Sequence, residues 1–143
     1  MKRFFSVITL CLLLVACSKS DDNNRNCNFL LNVGVNVSLN LNLPQYNSLN
    51  FISNPVYVPN EGNGGIIVTN IGGGFAAYDA ADPNHSPNPC SILNITGIEG
   101  TCGCSDENKY SLFTGQPLEN ANLRCGLKAY NAQLNGNNLV ITN

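Results

Sequence analysis

The strictest pattern in the chain is an alternation of apolar and polar residues from Asn32 to Leu43. Its apolar members are Val33, Val35, Val37, Leu39, Leu41 and Leu43, and the residues between them are Asn32, Gly34, Asn36, Ser38, Asn40 and Asn42. A period of two places successive side chains on opposite faces of a strand, whereas a helix would scatter them around its axis. The pattern therefore predicts a long strand, ended by Pro44, that is either an extra edge strand or a long first strand.

Shorter apolar runs bounded by glycines predict further strands. An Asn-Gly and a Gly-Gly step within residues 61–65 precede the apolar run from Ile66 to Thr69. Three glycines at positions 72–74 precede the run from Phe75 to Asp79. Because no helix pattern and no lysine follow these glycines, they indicate hairpin turns rather than a phosphate-binding loop. With no helical stripe elsewhere, the sequence predicts an all-β fold.

The middle of the chain has the pattern of two loops around a hairpin. The first loop, Asp82 to Cys90, contains three prolines and so forms neither a helix nor a central strand. The second loop, Thr101 to Asn108, carries a Cys-Gly-Cys triplet and a polar turn. Apolar residues flank a predicted bend near Gly97, and these are Ile92, Leu93, Ile95 and Ile98. Tyr110 to Phe113 then predict a strand that a Thr-Gly turn closes.

This order of elements resembles the Rieske domain over roughly residues 50–143. That family holds a [2Fe–2S] cluster between a Cys-x-His loop and a Cys-x-x-His loop, and some members join the two loops by a disulfide. The resemblance implies stacked antiparallel sheets with two cluster-type loops, ending in strands near residues 126–130 and 136–141. It also assigns four residues to the cluster positions, namely Asp82, His85, Cys102 and Ser105.

The chain departs from the family at these ligands. Ser105 stands where the second-loop histidine is expected, and the first loop has no cysteine before His85. Each iron needs both of its protein ligands, and oxygen donors suit iron–sulfur chemistry less well than thiolate and imidazole. We therefore expect a domain that has kept the fold and lost the cluster, with no metal and no cofactor bound. The alternative is an electron-transfer [2Fe–2S] or thiol-redox protein with atypical ligands.

The first residues have the pattern of a processed leader, predicted to span residues 1–16. Lys2 and Arg3 precede an apolar run from Phe4 to Val15 that is too short to span a bilayer. Leu-Val-Ala-Cys, ending at Cys17, resembles the lipobox of bacterial lipoproteins, which implies cleavage before this cysteine and its acylation. The other interpretation is an ordinary signal peptide in which Cys17 is incidental.

A polar tether, residues 17–27, is predicted between the lipid anchor and the folded domain, residues 28–143. Its acidic pair Asp21–Asp22 beside Lys19 resembles the surface-export signals of some Bacteroidetes lipoproteins, although a solvated linker explains it equally. These features predict a cell-envelope, outer-membrane lipoprotein on either the periplasmic or the surface face.

After lipidation of Cys17 five cysteines remain, and these are Cys27, Cys90, Cys102, Cys104 and Cys125. An oxidising compartment favours disulfides, but an odd number leaves one thiol over or paired between chains. The Rieske resemblance implies a bond between Cys90 and Cys104, with Cys90–Cys102 as the rival. Cys27–Cys125 would fasten the end of the tether to the body.

Other candidate chemistry has weaker support. A zinc site at His85 would need cysteines or carboxylates as partners, and a solvated loop histidine is the simpler interpretation. No nucleophile elbow accompanies His85, and acidic neighbours of the Cys-Gly-Cys triplet disfavour a reactive thiolate. Two acidic pairs, Asp79 with Asp82 and Asp106 with Glu107, lack a recognised calcium-loop spacing and are interpreted as turn residues.

Charge narrows the class of function. Without the leader the chain has five basic and nine acidic residues, a net charge of −4, so we expect no nucleic-acid partner and no polybasic lipid contact. The sequence predicts a protein that is not an enzyme and has no identifiable small-molecule substrate. Its expected role is a non-catalytic interaction or scaffold module, bound to the membrane through its anchor and to another envelope protein.

Overall fold

A computed structural model of the protein describes residues 27–119 and 123–143. The predicted leader, the lipidation site Cys17 and the tether as far as Asn26 lie outside the described residues, so they remain predictions. Within the described ranges the regular elements are nine strands and one 3-10 turn, Asn47–Asn50. The strands are β1 (Asn36–Asn40), β2 (Val56–Val58), β3 (Ile66–Asn70), β4 (Phe75–Asp79), β5 (Leu93–Thr96), β6 (Glu99–Cys102), β7 (Lys109–Ser111), β8 (Ala129–Asn135) and β9 (Asn138–Thr142).

The strands form two antiparallel sheets, which confirms the all-β prediction. The larger sheet has the order β1-β9-β8-β4-β3-β2, and the smaller sheet has the order β5-β6-β7. Strand β8 connects two parts of the larger sheet, because Ala129 and Tyr130 pair with β4 while the residues after them pair with β9. In the described part of the chain no helix is long and apolar enough to cross a membrane.

The alternating segment forms a shorter strand than its pattern predicts. Only Asn36–Asn40 is regular, and it pairs with β9 as an edge strand of the larger sheet. The alternation of burial holds at its centre, since Leu39 is fully buried while Asn36 and Ser38 are exposed. Leu43 is 42% exposed, so the prediction of a buried side chain there is wrong. The chain turns away after β1, and the turn ends both the pairing and the burial.

Two hydrophobic cores lie on opposite faces of the central strands β3 and β4. Ile66 and Val68 face the first core, which β1, β9 and the 3-10 turn also line. Ile67 and Tyr78 face the second core, where they pack with residues of the smaller sheet such as Leu93 and Leu112. Successive side chains of a strand point to opposite faces of the sheet. Because β3 and β4 are apolar at nearly every position, each of them contributes side chains to both cores. The second core therefore stacks the smaller sheet on the larger one.

The two loops leave the same end of the smaller sheet. The hairpin of β5 and β6 bends at Gly97, where φ is +59°, and it pairs Leu93 with Cys102 at its open end. The first loop enters β5 at this end, and the second loop leaves β6 there to reach β7. Because Thr101 and Cys102 still belong to β6, the irregular part of the second loop is residues 103–108.

Candidate functional site

The two loops are joined covalently and packed backbone to backbone. A disulfide links Cys90 to Cys104 with their Cα atoms 4.8 Å apart. Beside it the backbone nitrogen of Gly103 donates to the carbonyl of Ile92 at 3.3 Å. A Cβ atom at Gly103 would lie 2.7 Å from the carbonyl oxygen of Cys90, so glycine permits this close approach. The loops thus form one rigid tip at the end of the smaller sheet.

The structure contains the Cys90–Cys104 pair rather than the rival Cys90–Cys102. Because β6 ends at Cys102, that side chain points into the second core, while Cys104 lies in the loop and faces Cys90. Cys104 is therefore outside the strand that Cys102 ends. Cys27 is bonded to Cys125, and Cys102 is a buried free thiol among the described residues.

Four potential metal ligands converge beneath this disulfide. The Nε2 atom of His85 lies 3.2 Å from Sγ of Cys102. It also lies 3.5 Å from Oδ2 of Asp82 and 3.5 Å from Oδ2 of Asp106. The His85 side chain is 24% exposed, so this loop histidine is only partly solvated. The disulfide-linked loops fold over the ring and bring Cys102 against it.

Asp82 is the most deeply buried of these groups, with no exposed surface. Its Oδ1 atom accepts hydrogen bonds from the Tyr110 hydroxyl at 2.6 Å and the Asn84 backbone nitrogen at 2.8 Å. Its Oδ2 atom accepts one from the Asn108 amide at 2.8 Å and faces His85. The bond from the Asn84 backbone is the turn contact that the sequence predicted, and the burial shows that Asp82 also has partners outside the turn.

The side-chain amides of two asparagines fix the arrangement. Nδ2 of Asn108 donates to Oδ2 of both Asp82 and Asp106, at 2.8 and 2.9 Å. Asn84 donates to the Tyr110 hydroxyl at 2.8 Å and to the Cys125 carbonyl at 2.9 Å. The hydrogen-bonded network therefore reaches from the loops to the disulfide that holds the start of the described chain.

Burial and neighbouring charges affect where the thiol, the phenol and the imidazole of the site carry protons. Burial raises the pKa of the Cys102 thiol to about 12; a backbone hydrogen bond from Cys104 opposes the rise and the charge of Asp82 adds to it. Burial also raises the pKa of Tyr110, and its hydrogen bond to Asp82 adds to that rise. Nδ1 of His85 lies 3.1 Å from the carbonyl oxygen of Ser86, which can only accept, so Nδ1 carries a proton.

The predicted cluster positions come together only in part. Asp82, His85 and Cys102 meet, but Ser105 is exposed and Asp106 supplies the fourth donor instead. The residue pattern did not indicate Asn84, Asn108 or Tyr110 as members of the site. Asn108 and Tyr110 lie two residues apart at the start of β7, but nothing in the sequence shows that both point to Asp82.

No protein-family model and no curated protein matches the chain. Among solved structures, it is similar to the ferredoxin of carbazole 1,9a-dioxygenase from Nocardioides aromaticivorans IC177, with a TM-score of 0.46 and 14% sequence identity. The match covers 76% of this chain and 96% of that chain. A similarity at this level assigns no role to any residue of the present protein.

Proposed function

We propose that the protein is a cell-envelope lipoprotein whose Rieske-like domain has lost its [2Fe–2S] cluster and acts as a non-catalytic interaction or scaffold module. The observation that carries the proposal is the donor set at the tip. In a Rieske centre two cysteines hold one iron and two histidines hold the other. The chain has a single histidine, and the disulfide occupies Cys90 and Cys104, which leaves Cys102 as the thiol at the tip.

The geometry of the remaining donors also disagrees with a cluster. Cys102 and His85 would have to bind different irons, yet Sγ and Nε2 lie 3.2 Å apart in direct contact. Each iron would then have one thiolate or one imidazole, with carboxylate oxygens in the other positions. These residues do not fit the [2Fe–2S] group, and the disulfide holds the loops together in its place.

Two features support an envelope location. The first is the lipobox-like sequence ending at Cys17, followed by a polar stretch without apolar residues. The second is the pair of disulfides, because such bonds persist in oxidising extracytoplasmic spaces. The Cys27–Cys125 bond fixes the point at which the tether joins the body.

The tip offers an exposed surface for a partner. Its exposed polar residues are Ser86, Asn88, Ser105, Asp106 and Glu107, and Pro87, Pro89 and Cys90 are exposed beside them. A surface that mixes polar side chains with prolines suits contact with another envelope protein. A photo-crosslinking residue at Ser105 should give one defined product in cells, and one at exposed Ser38 on β1 should not. Equal products from both positions would contradict the tip as the contact surface.

The second candidate, an electron-transfer or thiol-redox protein, is favoured by one observation, the free Cys102 beside His85. The thiolate is the reactive form of cysteine, and a pKa raised to about 12 keeps Cys102 protonated at neutral pH. That protonation weighs against thiol chemistry. The visible absorption spectrum of protein purified without reductant separates the candidates, since we expect a colourless protein. A brown protein whose colour is lost in Cys102→Ala would establish the electron carrier.

Lipidation is tested by cell fractionation. Cys17→Ala should move the protein to the soluble fraction, because the polar tether supplies no membrane affinity of its own. Cys11→Ala is the matched control, since Cys11 lies in the predicted leader and should leave the protein in the membrane. A mature N-terminus at Ser18 or later by mass spectrometry would contradict lipidation.

A further inference from the structure

We propose that the four donors beneath the loop disulfide bind one divalent transition-metal ion, best matched by Zn²⁺: Asp82, His85, Cys102 and Asp106. This site goes beyond the proposed function, which excludes an iron–sulfur cluster but not a single ion. It also revises the expectation of no metal, because the sequence did not show that Asp106 approaches His85.

The three distances from His85 to the other donors are close to those around one tetrahedral ion. With zinc bonds of about 2.0–2.3 Å, neighbouring ligand atoms of a tetrahedral ion lie about 3.3–3.8 Å apart. The three distances from Nε2 of His85 are 3.2 Å to Cys102 and 3.5 Å to each carboxylate oxygen. The ligand atoms of His85, Cys102 and Asp106 also lie within 4.8 Å of one another. Small shifts of the side chains therefore complete the coordination.

The donor chemistry selects the metal. A thiolate, an imidazole and carboxylate oxygens are the ligands of zinc sites, whereas calcium and magnesium take oxygen alone. Cys104 lies close to the same group, but its sulfur is in the disulfide and carries no charge. Asp82 is the donor that closes the shell, and four protein ligands are typical of a structural ion.

The groups around the donors already have the arrangement that a metal site needs. Metal-binding histidines usually donate their other ring N–H to a backbone carbonyl, and Nδ1 of His85 lies 3.1 Å from the Ser86 oxygen. That hydrogen bond orients the ring so that Nε2 faces the three other donors. The Asn108 amide holds both carboxylates, and Tyr110 holds the far oxygen of Asp82. Asp106 is 39% exposed, so solvent reaches the site from its side.

The experiment uses purified mature protein freed of metal by a chelator and titrated with Zn²⁺ and, separately, Co²⁺. We expect one ion per chain, intense visible bands of tetrahedral Co²⁺ and a near-ultraviolet thiolate-to-cobalt band. Cys102→Ser should abolish the thiolate band, and His85→Ala should weaken binding by at least about 100-fold, since loss of a supporting group alone costs about 10- to 100-fold. Glu107→Gln, which removes an adjacent carboxylate outside the site, should bind as the parent does.

Circular dichroism of each variant separates loss of binding from loss of folding, and Asp82→Asn provides a second variant of nearly the same shape. The proposal is overturned if folded parent protein binds neither ion, or if Cys102→Ser and the parent bind equally. Either result leaves the proposed function intact. Iron with acid-labile sulfide in the protein would instead contradict the proposed function.

Discussion

Two buried aspartates, Asp79 and Asp82, stand three residues apart and are each fully buried, yet their surroundings differ. Each accepts a hydrogen bond of 2.6 Å from a buried tyrosine, Tyr130 for Asp79 and Tyr110 for Asp82. Asp79 accepts four more, from both nitrogens of Asn63 and from the backbone of Gly64 and Ala81. Asp82 accepts two more, and the open side of its Oδ2 faces His85.

The difference separates a structural carboxylate from a binding one. Neutral donors fill both oxygens of Asp79, and it anchors the turn before β3 to the end of β4. One side of the Asp82 Oδ2 atom accepts no hydrogen bond from a neutral donor, and the imidazole of His85 and the thiol of Cys102 lie on that side. Burial alone therefore does not indicate a site; Asp82 differs from Asp79 because it also contacts an imidazole that can bind a metal.

The largest expected effect comes from matched isosteric changes at the two positions. Asp79→Asn should lower the free energy of unfolding by about 3 kcal/mol or more, because an amide NH₂ would face donors and leave at least two buried groups unsatisfied at about 1–3 kcal/mol each. Asp82→Asn should cost about 1 kcal/mol, since the new amide keeps an acceptor oxygen for Tyr110 and the amide of Asn108 can turn to accept from its NH₂.

The measurement is urea unfolding under oxidising conditions, with a chelator present so that bound metal does not contribute. Equal losses in the two variants would contradict the distinction between a filled and an open carboxylate. A larger loss of unfolding free energy in Asp82→Asn than in Asp79→Asn would show that Asp82 is the more important structural carboxylate.

The next effect concerns the bond that holds the Asp82 region together. The double change Cys90→Ala and Cys104→Ala should cost on the order of 3 kcal/mol, the entropic value for a closed loop of this length. Hydrogen exchange should become faster in residues 82–90 and 103–108, while β3 and β4 around Asp79 stay protected. Faster exchange throughout both sheets would show that the disulfide supports the whole fold rather than the tip.

A smaller contrast is expected at the two tyrosines. Tyr110→Phe should destabilise by about 2 kcal/mol, because it removes one of three hydrogen bonds to a buried carboxylate. Tyr130→Phe should cost about 1 kcal/mol, since Asp79 keeps four other donors. Thermal unfolding measures both losses. A larger loss in Tyr130→Phe than in Tyr110→Phe would contradict the distinction between Asp79 and Asp82.

The smallest effect is a dependence on alkaline pH. Burial and the neighbouring carboxylates raise the pKa of Tyr110 and Tyr130 above the ordinary value near 10. Both phenols hold their protons in the folded state after the unfolded state has released them. Their contribution is therefore complete below about pH 10 and falls as the pH rises further. Tyr130→Phe should lose less stability than the parent between about pH 9 and 11, and an unchanged slope would contradict the raised pKa.

The residue pattern predicted most of the strands because glycine turns and apolar runs are local signals. The hairpin bend at Gly97 and the strand Phe75–Asp79 lie where the sequence predicted them. The alternating segment from Asn32 was predicted too long, since its pairing with β9 ends where the chain turns after Asn40. Periodicity indicates which face of a strand is buried, but the partner strand determines how far the strand extends.

The site was predicted less completely. His85 and Cys102 were recognised by their type, but the distances that join them to Asp82 and Asp106 depend on how two loops cross. Asparagine is common in turns and gives no signal of its own, so Asn84 and Asn108 were missed. Asp79 and Asp82 belong to the same predicted acidic pair, and only their hydrogen-bond partners distinguish them.

The central claim is that the site formed by Asp82, His85, Cys102 and Asp106 binds one metal ion and not an iron–sulfur cluster. Elemental analysis of protein purified without chelator, combined with an assay for acid-labile sulfide, tests it most directly. The account predicts about one zinc per chain, little iron and no sulfide. Two iron and two sulfide per chain would contradict it.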